Sequence, residues 1–207
     1  MMRHPKRRNQ RGNTMVEFAL VSVFLIPLLL GTVNVGMNLS RSIQVTQVSR
    51  DTGHMYVRFV DFTEAGNKDI IVRLAQGLGM TRDGGQGQVV LSKLMYVGED
   101  ECDAASLTLA ECSNYGFHVF AQRVYIGNRS VGASHFGQPP DDLLDDKGEI
   151  GAMDYLTDPR TRAYNFHQLL PLESGEFAYV SEAIFDAPEF DFPGFFDDSR
   201  LYARTIF

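Results

Sequence analysis

"RGNTMVEFALVSVFLIPLLLGTVNVGM", residues 11–37, holds one acidic side chain, Glu17, at the mouth of an uncharged run that starts at Phe18. Within residues 18–37 only Ser22, Thr32 and Asn34 are polar, and the next ionisable residue after Glu17 is Arg41. Twenty residues of α-helix rise about 30 Å, the thickness of a bilayer's hydrocarbon core. The stretch therefore reads as a membrane-spanning helix. The alternative is a cleaved secretory signal, but the run is longer than an ordinary h-region and no A-x-A-like site follows it.

Charge is distributed to match. Residues 1–12 carry Arg3, Lys6, Arg7, Arg8 and Arg11 and no acid. Without those five, the chain has 14 Lys/Arg against 26 Asp/Glu, a net charge of −12 for residues 13–207. A basic cluster ahead of an apolar helix predicts a cytoplasmic N-terminus and an exported remainder. It also suits anionic lipid. The acidic body would repel a phosphate backbone, so nucleic acid is not expected as its partner. The 207 residues suffice for one soluble domain with an appended segment.

The helical pattern runs past the membrane segment. Val45, Val48, Thr52, Met55, Phe59 and Phe62 follow a 3-4-3-4-3 spacing, which predicts one face of a continuous helix from about Thr14 to about Asp61. Gly53 is its weak point. An exposed stripe of that kind would aggregate, so a soluble domain is expected to cover it. After a turn at "TEAGN" (63–67), "KDIIVRLAQGLGM" (68–80) suggests a short helix with Ile70, Ile71, Leu74 and Leu78 on one side, and "RDGGQGQ" (82–88) a loop.

The period then becomes strand-like. "QVVLSKLMYVG" (88–98) and "GFHVFAQRVYIGN" (116–128) are rich in β-branched and aromatic residues, and the broken phase of Phe117, Val119, Ala121 and Val124 points to a bulge or two-sided burial. Residues 129–175 are polar and turn-rich and read as an irregular excursion. "GEFAYVSEAIFDAP" (175–188) and "SRLYARTIF" (199–207) suggest two more strands, joined by "EFDFPGFFDD" (189–198). Long helix, short helix, then four strands predicts an α+β fold: a membrane-spanning helix that continues as an amphipathic helix packed on an antiparallel sheet.

Cys102 and Cys112 are the only cysteines, and an even count in an exported domain favours a disulfide. A metal site with His118 is the rival, but two thiols and one distant histidine make a poor zinc pattern. The acidic stretches "EDECD" (99–103) and "DDLLDDKGE" (141–149) lack EF-hand spacing and read as solvated loops. Neither HExxH, GxSxG, GxxxxGK[ST] nor CxxC occurs, and the five histidines are dispersed. No catalytic residue, metal ligand or cofactor is expected.

Gly12, then Glu17-Phe18, then some 20 apolar residues resembles the cleavage region of type IV prepilins. Together with Arg11 and the amphipathic "LSRSIQVTQVSRD" (39–51), the set is similar to the TadE-like family of minor pilins or pseudopilins of tight-adherence, Flp-type, pilus systems. That resemblance implies a leader of residues 1–12, an assembly helix over 13–37 and an exported pilin-like domain over 38–207. It implies cleavage by a prepilin peptidase between Gly12 and Asn13, with Glu17 as the fifth residue of the mature chain. In that role Glu17 pairs with the α-amino group of a neighbouring subunit, since a carboxylate in lipid needs a cation, with Phe18 beside it. Glu17 has a local reading too: Thr14 and Glu17 fit a T-x-x-E capping box.

Implied partners are the major pilin, other minor pilins, the prepilin peptidase and the assembly platform of the bacterial inner membrane. Pro27 departs from ordinary type IV pilins and predicts a kink near Pro27 and Gly31. Two other functions stay open: a signal-anchored binding domain that never enters a filament and binds through residues 129–175, and, last, an exported enzyme.

Overall fold

The computed structural model describes residues 13–186 and 200–207. The leader with Gly12, and the 189–198 connection, fall outside the described residues. The chain divides into two units, residues 1–40 and 41–207. Helix α1 (Asn13–Val57) begins in the first and ends in the second. Within the second unit follow α2 (Ala65–Leu74), β1 (Gly87–Tyr96), α3 (Glu99–Ala104), β2 (His118–Gly127), α4 (Ala152–Thr157), β3 (Phe177–Asp186) and β4 (Arg200–Ile206). All four strands join one antiparallel sheet in the order β2-β1-β3-β4. The fold is α+β, with a helix packed on an antiparallel sheet.

Strand alternation sends Val89 and Leu91 of β1 to one face and Leu94 to the other. On the first face they join Val124, Ile126, Ala183 and Phe185 beneath Val45, Val48 and Tyr56 of α1, Ile71 of α2 and Ala75 just after it. The helical stripe that touches the sheet is Val45, Val48, Ser49, Thr52, Gly53 and Tyr56, all buried. Ser49 Oγ donates to the Ser181 carbonyl at 3.0 Å, which places α1 directly over β3.

Three expectations are corrected here. First, α1 ends at Val57, not near Asp61. Phe59 takes a left-handed φ of 62°, its N–H donates to Tyr56 O at 2.9 Å, and the Val60 N–H reaches back to Met55 O at 3.2 Å. These two bonds form a Schellman stop. Phe59 therefore leaves the stripe and is exposed, while Phe62 is buried from the loop beyond it. Second, α2 starts at Ala65, inside the expected turn, and buries Ile71, with Ala75 and Leu78 buried just beyond its end; Ile70 and Leu74 face solvent. Third, "EDECD" is not a loop: it forms α3, whose Gly98 N–H donates to Glu101 Oε2 at 2.7 Å.

The bulge in the second strand is present. Lys93 pairs with Gln122 and Leu94 with Phe120, leaving Ala121 as the extra residue. Residues 129–175 form a packing layer as well as a connection. Phe136, Ile150, Ala163, Phe166 and Leu172 pack on Leu94, Phe120, Ala178 and Val180 of the second sheet face. The same segment covers the outer edge of β2, since the Arg123 N–H donates to Gly148 O, Ile150 N–H to Ala121 O and Ala163 N–H to His118 O.

Candidate functional site

The N-terminal part of α1 presents apolar side chains to its surroundings on every side: Phe18, Leu20, Val23, Phe24, Leu28 and Leu30 are all exposed. The helix is long and apolar enough to cross a membrane. Two of its hydroxyls, those within the uncharged run, are satisfied by the helix itself. Ser22 Oγ donates to Phe18 O and Thr32 Oγ1 to Leu29 O, each at 2.8 Å. Such back-bonding removes the penalty that an unpaired hydroxyl meets in hydrocarbon. Pro27 and Gly31 both lie within the α-helical run.

Glu17 and Phe18 lie on this helix and are exposed. α1 already includes Asn13, so Thr14 sits inside the helix and is not its N-cap. Among the described residues Glu17 has neither hydrogen bond nor ion pair. The carboxylate thus stands on an apolar helix without a partner among the described residues.

In the second unit, Cys102 and Cys112 form a disulfide with a Cα–Cα distance of 5.9 Å. It ties α3 to the turn before β2, within a small core of Met95, Val97, Val119 and Leu156. Burial raises the Glu101 carboxyl, but the Ser174 hydroxyl and the Gly98 N–H outweigh it and hold the group below its usual range. Arg129 and Asp141, and Arg160 and Asp158, form surface pairs in the 129–175 layer, each lowering its carboxylate through the guanidinium hydrogen bond.

Among the described histidines, His118 and His167 lie near enough to interact, and neither belongs to a cluster of metal ligands. His118 is buried and its Nε2 accepts the Leu172 N–H at 3.3 Å; His135 is exposed and stacks on Tyr202 at 4.2 Å. Among the described residues no three His, Cys, Asp or Glu side chains converge on a metal-sized site.

Two buried charges were not legible in the sequence. Arg123 donates to Ser92 Oγ at 2.7 Å and to Gly137 O at 3.0 Å. Glu182 accepts from the Ser134 hydroxyl, the His135 N–H at 3.1 Å and the Tyr202 hydroxyl at 2.8 Å. Both fasten the 129–175 layer to the sheet. An isolated strand residue gives no signal that a later loop will bury it.

Residues 12–54 match the family model of TadE-like protein, which covers the apolar helix and most of its amphipathic continuation. No curated protein and no solved structure matches the chain.

Proposed function

We propose, from the premise of a TadE-like N-terminal region, that this chain is a minor pilin-like structural subunit of a tight-adherence type IV pilus, not an enzyme. A prepilin peptidase cuts between Gly12 and Asn13. Residues 13–37 hold the subunit in the bacterial inner membrane, with the N-terminus cytoplasmic and residues 38–207 exported. The assembly platform then moves it into a filament, or to its base as a primer, alongside the major pilin and other minor pilins.

The observation that carries this reading is Glu17, a carboxylate with no partner among the described residues, on an otherwise apolar and exposed helix. A charge in that setting calls for a cation from outside the chain, and the α-amino group of a neighbouring processed subunit supplies one. Without that pairing the carboxylate would be a pure cost to membrane insertion.

The test is to express the full chain with an active prepilin peptidase and determine its N-terminus and intact mass. A chain that starts at Asn13 supports processing and gives Glu17 its place. A chain that keeps residues 1–12 rejects the pilin reading and leaves a signal-anchored binding domain. Cleavage after residue 37 means an exported protein without an anchor.

A further inference from the structure

Beyond the end of α1 lies a cavity of about 330 Å³, lined among others by Tyr56, Phe59, Lys93, Glu149 and Tyr179. A second, of about 190 Å³, shares Lys93, Gln122 and Glu149 with it and reaches Phe177, so the two form one groove.

Its walls are held in place by bonds that need no ligand. Gln122 of β2 accepts the Tyr56 hydroxyl at 2.8 Å and donates to Lys147 O at 3.0 Å, tying the end of α1 to the turn before Glu149. The Asp145 carboxylate accepts the Lys147 and Glu149 N–H groups at 2.8 and 2.7 Å. Tyr179 meets Tyr56 and Phe59 edge-on, at 5.3 and 6.3 Å. A site built in advance loses less freedom when it is filled.

The charges that line it are balanced. Two ammonium groups, Lys93 and Lys147, face the same space as two carboxylates, Asp61 and Glu149. Among the described residues none of the four forms an ion pair with another. Lys93 Nζ lies instead 4.1 Å from the Phe177 centroid. Asp61 accepts the Thr63 N–H and hydroxyl with one oxygen, at 2.8 and 2.6 Å, and its other oxygen has no partner among the described residues. An anion here would meet two carboxylates, and a cation two ammonium groups. A neutral ligand rich in hydroxyls suits both kinds of wall, because each hydroxyl donates once and accepts twice.

The rings narrow the class further. Phe59 lines the larger cavity and is 82% exposed; Phe177 lines the smaller and is also exposed. An exposed large ring costs the isolated fold, and a flat ligand face bearing C–H groups covers it. A pyranose has such a face, with its hydroxyls around the rim. Two adjoining cavities, each with its own ring, take two successive sugars.

We propose that this groove binds a neutral oligosaccharide. One pyranose stacks on Phe59 and hydrogen-bonds Glu149 and Lys147. The next stacks on Phe177, and Lys93, which lines both cavities, donates between them. The site lies wholly within residues 41–207 and needs neither leader removal nor filament entry, so it stands apart from the pilus reading.

The test uses the full chain in lipid nanodiscs and saturation-transfer-difference NMR, with cellotetraose, chitotetraose and mannotetraose as probes and empty nanodiscs as the blank. Saturable binding of at least one tetrasaccharide is expected, about tenfold or more tighter than its monosaccharide. It should be the same at about 50 and about 500 mM NaCl, since no ligand charge is screened. Phe59→Gly and Glu149→Ala should each weaken it about tenfold or more, with Glu149→Gln in between. Glycine suits the left-handed position, so a loss in Phe59→Gly does not come from a failure to fold. The proposal is overturned by no saturable binding of any of the three probes, or by equal binding in Phe59→Gly. Binding that falls with salt, or tighter binding of the zwitterion glycylglycine, overturns it too by making the ligand ionic.

Discussion

Gly53 of α1 lies directly against the ring of Phe207, which occupies the place where a Cβ at position 53 would stand; Ser181 Cβ is only 3.2 Å from the same point. The residue that looked like a weak point in the helix is one at which helix and sheet are in close contact. In an exposed helix, alanine would exceed glycine by about 1 kcal/mol. Here that gain is offset by displacing the ring. Gly53→Ala is expected to be neutral at best, and Gly53→Val to cost about 2 kcal/mol by overpacking. Urea unfolding in detergent, followed by near-UV circular dichroism, measures both; a stabilised alanine variant would show that the approach is loose.

The disulfide closes a loop of ten-residue separation between β1 and β2. On the loop-entropy model, losing it removes about 3 kcal/mol. The double variant Cys102→Ser, Cys112→Ser should unfold at lower urea by that amount, and reductant should lower the midpoint of the native protein but not of the variant. Equal midpoints would mean the small core around Met95 and Leu156 holds without the staple.

Burial first, and then the charge of His167, hold the His118 imidazole below its ordinary range. Its neutral Nε2 is also the acceptor for the Leu172 N–H. The unfolded chain therefore takes up this proton more readily than the folded one. Stability is full above the unfolded pKa of about 6.5 and falls as the pH drops from there toward the folded value. Unfolding midpoints at pH 7.5 and 5.5 should differ in the native chain and converge in His118→Gln. The same fall in the variant would assign it to other groups.

Glu182 gathers three donors from two separate segments, and burial together with its charge pushes the Tyr202 hydroxyl far above its usual range. Glu182→Ala should cost about 2 kcal/mol, since it leaves three partly buried donors to find water, whereas Tyr202→Phe should cost about 1 kcal/mol. Amide hydrogen exchange should then rise in residues 129–137. A uniform rise across the sheet would mean that Glu182 stabilises the core as a whole.

Phe59→Gly removes a left-handed aromatic from a helix stop. The relief of about 1–2 kcal/mol is partly offset by the greater freedom of glycine in the unfolded chain. A net gain of about 0.5–1 kcal/mol is expected. A loss of stability would mean that the edge contact with Tyr179 outweighs the strain.

The sequence alone carried what depends on period and composition. An uncharged run of 20 residues, a 3-4 spacing after it, alternating β-branched stretches and two cysteines are local signals, and each produced its element: α1, the four strands and the disulfide. The broken phase around Ala121 announced the bulge for the same reason.

Tertiary structure decided the rest. The end of α1 is set by a Schellman turn that no residue type at position 59 advertises. Ser49 and Gly53 replace Met55 and Phe59 in the buried stripe, because close approach to β3 selects small side chains over large ones. Residues 129–175 looked like a polar excursion because their apolar residues follow no period; they become a layer only when Phe136, Ile150 and Phe166 meet a sheet face built from strands 40 or more residues apart in places. Arg123 and Glu182 are buried for the same reason. Burial of that kind is a property of what the rest of the chain brings to a residue, and it has no local signature.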